Sequence, residues 1–147
     1  MTRCHLRIAA AAAMFAMLSA GGAFAGQVTV SGGWFRALPA GLPAGGYFTL
    51  HNGRDEPVTL KAADSPACGM LMIHRSVHTS GMEHMMPAGD LDVPPGGTLV
   101  FAPGGLHLMC MQPTAGMKPG ASVVVTLEFA DGSTVVSDFA VRSANGS

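Results

Sequence analysis

The sequence predicts an all-β fold, a single-domain Greek-key β-sandwich or barrel, on three observations. Apolar runs after residue 25 are short and rich in Val, Thr, Phe and Leu, the composition of strands. Gly- and Pro-rich turn material separates them at regular intervals. No stretch beyond residue 25 sustains a 3.6-residue apolar period, so no amphipathic helix is expected.

Taken in order, the first segment is expected to lie outside that domain. MTRCHLR is a short basic region, IAAAAAMFAML an apolar core, and SAGGAFA ends in the small-x-small pattern Ala23-Phe24-Ala25. This reads as a secretory leader over 1–25, leaving 26–147 as the domain. The apolar core is too short to span a bilayer. Cys4 precedes it, which is the wrong place for a lipid-modified cysteine. Export as a soluble protein is expected, to the periplasm in a two-membrane bacterium. Eight strand candidates follow: QVTVSGGWF, GGYFTLHN, PVTLKAA, CGMLMIHRSVH, GTLVFA, GLHLMCMQ, ASVVVTLEFA and STVVSDFAV. Asp131-Gly132 marks a hairpin between the last two. RSVHTSGMEHMM reads as a donor-rich loop.

Composition excludes several functions. Residues 26–147 carry six Lys/Arg against nine Asp/Glu, a net charge of −3. With no basic patch and few aromatics, nucleic-acid binding is not expected. No basic amphipathic helix suggests a membrane surface. Gly-x-Ser-x-Gly, a phosphate loop and paired carboxylates are all missing, so a binding protein is expected rather than an enzyme.

Methionine and histidine stand out instead. All eight methionines beyond the leader fall between residues 70 and 117, with four of the five histidines there, His74, His78, His84 and His107. Strand alternation sorts them by face. In GLHLMCM, Leu106, Leu108 and Cys110 point one way and His107, Met109 and Met111 the other. Around 70–74, Leu71 and Ile73 oppose Met70, Met72 and His74. Each strand therefore has an aliphatic face for a core and a second face of soft donors. Thioethers favour Cu(I); they suit Mg²⁺ and Ca²⁺ poorly, and two scattered cysteines do not make a structural zinc site. A blue-copper site needs a Cys thiolate with two His. No histidine follows Cys110, which faces away from His107. Cys68 and Cys110 have opposite parities unless Gly69 permits a bulge, so two buried free thiols are expected rather than a disulfide.

The spacing His74-x10-Met85-x21-His107-x-Met109 resembles the H-x10-M-x21-H-x-M signature of the periplasmic copper chaperones called PCu(A)C. WFRALPAGLPAGGYFTLHN, SPACGMLMIH and VPPGGTLVFAPGGLHLM are similar to further segments of that family, so the resemblance covers most of the domain. It implies a cupredoxin-like fold holding one Cu(I) on His74, Met85, His107 and Met109. It also implies delivery of copper to the CuA centre of cytochrome c oxidase subunit II, beside or through a Sco-like copper protein; separately, a monomer without stable membrane insertion is expected. Copper sequestration without delivery is the alternative. The chain departs from some family members in lacking a His/Met-rich C-terminal tail. It has extra donors, His78, Met82, His84 and Met86, in the loop. These read either as solvated loop residues or as a second copper site, Cu(II) through His78 and His84. Met72 and Met111 are expected to screen the first site, His51 to be structural, Trp34 and Tyr47 to be sandwich aromatics, and Arg36 to form a local salt bridge.

Overall fold

The computed structural model describes residues 26–147; the leader expected at 1–25 lies outside them. Ten strands follow in order: β1 (Val28–Arg36), β2 (Ala44–Asn52), β3 (Val58–Asp64), β4 (Cys68–Thr79), β5 (Met82–Pro87), β6 (Leu91–Val93), β7 (Thr98–Phe101), β8 (Leu106–Pro113), β9 (Ser122–Phe129) and β10 (Thr134–Arg142). The single helical element among the described residues is a 3-10 turn, Pro39–Gly41. The fold is thus all-β and cupredoxin-like, as expected, with two strands more than the sequence suggested.

Those two are β5 and β6. Residues 82–87, expected within a loop, form the second arm of a hairpin. Ser80 and Gly81 both take positive φ, 53° and 77°, as a two-residue type I′ turn requires. Thr79 pairs with Met82 across it, and the ladder runs back to His74 opposite Pro87. Every residue of β5 is exposed, so the strand has no apolar-polar alternation by which to be recognised.

The strands join in the order β5-β4-β8-β7-β2-β1-β10-β9-β3-β6, with an additional β8–β2 pairing. Most pairings are antiparallel, but β1 lies parallel to β10 and β7 to β8. The sheet doubles over a core that takes Leu60, Val125, Leu127 and Phe139 from one half and Phe48, Leu71, Ile73 and Leu108 from the other. Along β9 the expected alternation holds: Val123, Val125, Leu127 and Phe129 are buried, between the exposed Ser122, Val124 and Glu128 and the half-buried Thr126. Phe48 stacks on Phe101 at 4.2 Å between centroids and meets Phe139 at 5.4 Å. Gly46 is needed where β2 crosses this core. A Cβ there would lie 2.6 Å from Phe35 and 3.0 Å from the Leu108 side chain.

Asn52 ends β2 fully buried. Its Nδ2 donates to the carbonyl oxygens of Glu56, Val93 and Pro94 at 2.8–3.2 Å, and its Oδ1 accepts the Arg54 N–H. One amide thereby satisfies the backbone where β2, β3 and β6 meet. The Asp131-Gly132 hairpin is present, closed by Phe129 and Ser133, with Gly132 at φ 82°.

The expectation of two free thiols is corrected. Cys68 and Cys110 form a disulfide with 5.3 Å between Cα atoms. Strict alternation fails at this end of the β4–β8 ladder: Gln112 takes φ 50°, and Gly69 packs directly over the Gln112 side chain. The local irregularity brings Cys68 to the core side, where Cys110 is fully buried.

Candidate metal centre

The site is built on the β4–β8 ladder. Its register pairs His74 with His107, Met72 with Met109 and Met70 with Met111. Residues directly opposite in an antiparallel pair project from the same face, so the donors of both strands share one side while Leu71, Ile73, Leu108 and Cys110 enter the core. The two imidazoles stand edge to face, 5.9 Å between centroids at 80°.

Hydrogen bonding fixes the chemistry of one ring. Nδ1 of His107 lies 3.0 Å from the Gly105 carbonyl oxygen. A carbonyl can only accept, so Nδ1 carries a proton, and in the neutral tautomer Nε2 is the nitrogen with the free lone pair. His107 is 4% exposed, and Nε2 is buried without a protein partner, as is His74 Nδ1. A buried polar atom left unpaired costs about 1–3 kcal/mol, so two on adjacent rings mark a place suited to a ligand that accepts lone pairs. Burial, and then the neighbouring His107, hold the His74 imidazole below its ordinary pKa. A neutral ring is the form that binds metal.

Met85 arrives from β5. It pairs with Ser76, two residues from His74 on the same face, within diagonal reach across the strands. An open cleft of about 540 Å³ brings Met85, His107 and Met109 onto one wall, with Glu83, Arg36 and Tyr47 around them. His74 is not part of that wall and adjoins it through the His107 ring. Thus all four expected residues lie on one face: three border the cleft and the fourth supports it. Met109, Met72 and Met111 are half-buried, whereas Met85 is 57% exposed. A cleft of similar size between 37–44 and 113–119 carries only Lys118 as an ionisable group.

The donor set fits a soft monovalent ion. Among the described residues no three His, Cys, Asp or Glu side chains converge as a metal site. Any site here therefore depends on thioether sulfur, which selects Cu(I) over hard cations. The disulfide removes Cys110 as a thiolate, the ligand a blue-copper centre requires.

One sequence reading narrows and another changes. Of the two readings left open for the donor-rich loop, a copper site through both His78 and His84 is not favoured: His78 pairs with Glu83 and His84 with Val77, so the two imidazoles lie on opposite faces of the hairpin. Arg36 forms no salt bridge among the described residues. Its guanidinium stacks 5.7 Å from the centroids of both Trp34 and Tyr47, which share a tilted contact. His51 is exposed and meets Thr98, a structural contact as expected. Arg36 and Tyr47 were not read as site residues. Their only signal was the WFRALPAGLPAGGY segment that crosses from β1 to β2.

A family model described as Putative lipoprotein LpqE-like matches residues 28–141. A relative from Leifsonia xyli subsp. xyli, Putative lipoprotein Lxx21020, is 36% identical over 108 residues, which is 73% of this chain. The chain spans 64% of that relative's length. The solution structure of CuI-DR1885 from Deinococcus radiodurans is similar at 33% identity and TM-score 0.66, covering 83% of each chain. The apo PCuAC domain from PmoF1 is similar at 27% identity and TM-score 0.65, covering 81% of this chain and 96% of that one. The copper-bound PCuAC domain from PmoF2 shares the fold at 24% identity and TM-score 0.63, covering 81% and 95%.

Proposed function

The chain belongs to the LpqE-like family, and from that membership we propose that it binds one Cu(I) ion through His74, Met85, His107 and Met109 and carries it to a partner. The observation that carries this reading is the pair of buried, unpartnered ring nitrogens, His74 Nδ1 and His107 Nε2, on the sheet face that also bears the thioethers. Copper is cargo here. The neutral His and Met donors hold a soft ion without a permanent thiolate cage, and the exposed Met85 leaves one side open for ligand exchange with a partner.

Similarity to the copper-loaded CuI-DR1885 of Deinococcus radiodurans supports the copper assignment. The destination rests on family resemblance: the CuA centre of cytochrome c oxidase subunit II, reached directly or with a Sco-like copper protein. Export to the periplasm is supported by the leader-like sequence of residues 1–25 and by the lipoprotein descriptions of the family and of the Leifsonia relative. No helix among the described residues is long and apolar enough to cross a membrane.

A Cu(I) competition titration against a chromogenic chelator tests the reading, with His107→Ala and Met109→Ala beside the wild type. Loss of either donor should weaken binding about tenfold or more, roughly 1.4 kcal/mol. Equal affinities in all three proteins would remove the assignment. Deletion of the gene should impair CuA assembly; intact assembly with lost copper tolerance would instead favour sequestration.

A further inference from the structure

A second group of soft donors lies on the other face of the same hairpin. β5 is one of the two edge strands of the sheet, and its alternate residues Met82, His84 and Met86 share one side, opposite Thr79, Val77 and Arg75. Met85 points to the opposite side, toward the cleft. Met82 is 61% and Met86 51% exposed, and no β5 residue enters the core. Core filling, the ordinary use of methionine, therefore does not account for them. Large apolar side chains on an exposed edge strand are also an aggregation liability.

The spacing gives them a use. His84-x-Met86 repeats, on a strand, the His107-x-Met109 interval of the first site. Residues two apart on one strand face lie about 7 Å apart, so an imidazole and the flexible thioethers beside it can lean onto one ion. We infer that Met82, His84 and Met86 form a second, surface site for a soft monovalent cation, Cu(I) or Ag(I), on the outer face of β5. Three neutral donors suit that ion class and disfavour hard cations. Arg75, across the ladder from Met86, places a positive charge beside the site. Binding there is therefore weaker than at the first site, as befits a place where an ion is first captured. The inference does not depend on the first site, whose donors lie on the other face.

Titration of the purified, ¹³C-methyl-methionine-labelled protein with silver nitrate, followed by NMR, tests it. Ag(I) matches the charge and softness of Cu(I) and resists air oxidation. The Met82 and Met86 methyl signals should move mainly between the first and second equivalents, and His84→Gln should abolish that movement. Stationary Met82 and Met86 signals through excess silver would overturn the inference. So would movement unchanged in His84→Gln, since the thioethers would then act without the imidazole. Met85 and Met109 report separately on the cleft: if they stay still while Met82 and Met86 move, the proposed first site fails and this one stands.

Discussion

Reducing the Cys68–Cys110 bridge should destabilise the apoprotein without removing any packed atom from its core. The bridge closes a loop spanning 42 residues of sequence. In the chain-entropy model that closure restricts the unfolded state by about 13 cal/mol/K, so its loss is worth about 4 kcal/mol at 25 °C. For a domain of roughly 120 residues the unfolding entropy near the midpoint is about 0.25 kcal/mol/K. The midpoint should therefore fall by about 16 °C. Thermal melts of oxidised and dithiothreitol-reduced protein, followed by circular dichroism, measure this directly. Using reduced wild type rather than an alanine variant keeps the fully buried Cys110 sulfur in place, which separates the cross-link from a cavity effect. Coincident melts, after a thiol assay shows complete reduction, would mean that the bridge does not stabilise the fold.

Three further outcomes follow from single residues. Asn52→Ala leaves the Glu56, Val93 and Pro94 carbonyls without their shared donor; urea unfolding should show a loss of about 2–3 kcal/mol. Gly46→Ala drives a methyl group into Phe35 and Leu108 and should cost about 1–3 kcal/mol in the same assay. Because the His74 pKa is lowered in the fold, the unfolded chain binds its proton first as pH drops. Apoprotein stability should thus be full above about pH 6.5 and decline below it, and His74→Gln should flatten that decline in melts from pH 7.5 to 5.

Much of this was legible locally. Alternation in 105–111 and 70–74 separates core from donor face without any knowledge of the partner strand, and the ladder then sets His74 against His107. The elements that escaped had no local signature. β5 is exposed on both faces, so its strand character comes from the Ser80-Gly81 turn and pairing with β4. β6 is three residues long. The parallel β1–β10 pairing joins opposite ends of the domain, which periodicity cannot reveal. The disulfide was missed because parity was carried through Gly69 and Gln112, where the backbone breaks it. Whether His78 and His84 share a face was likewise not legible, since hairpin register decides it. Arg36 and Tyr47 reach the cleft because Gly45 pairs with both Arg36 and Met109, a register that no local pattern reveals.

X-ray absorption at the copper edge, on protein loaded with one equivalent of Cu(I), reads the proposed ligand set itself. A mixed shell of two imidazole nitrogens and two thioether sulfurs is expected, with one sulfur lost in Met85→Ala and the imidazoles retained. A shell without sulfur, or one unchanged in Met85→Ala, would contradict it.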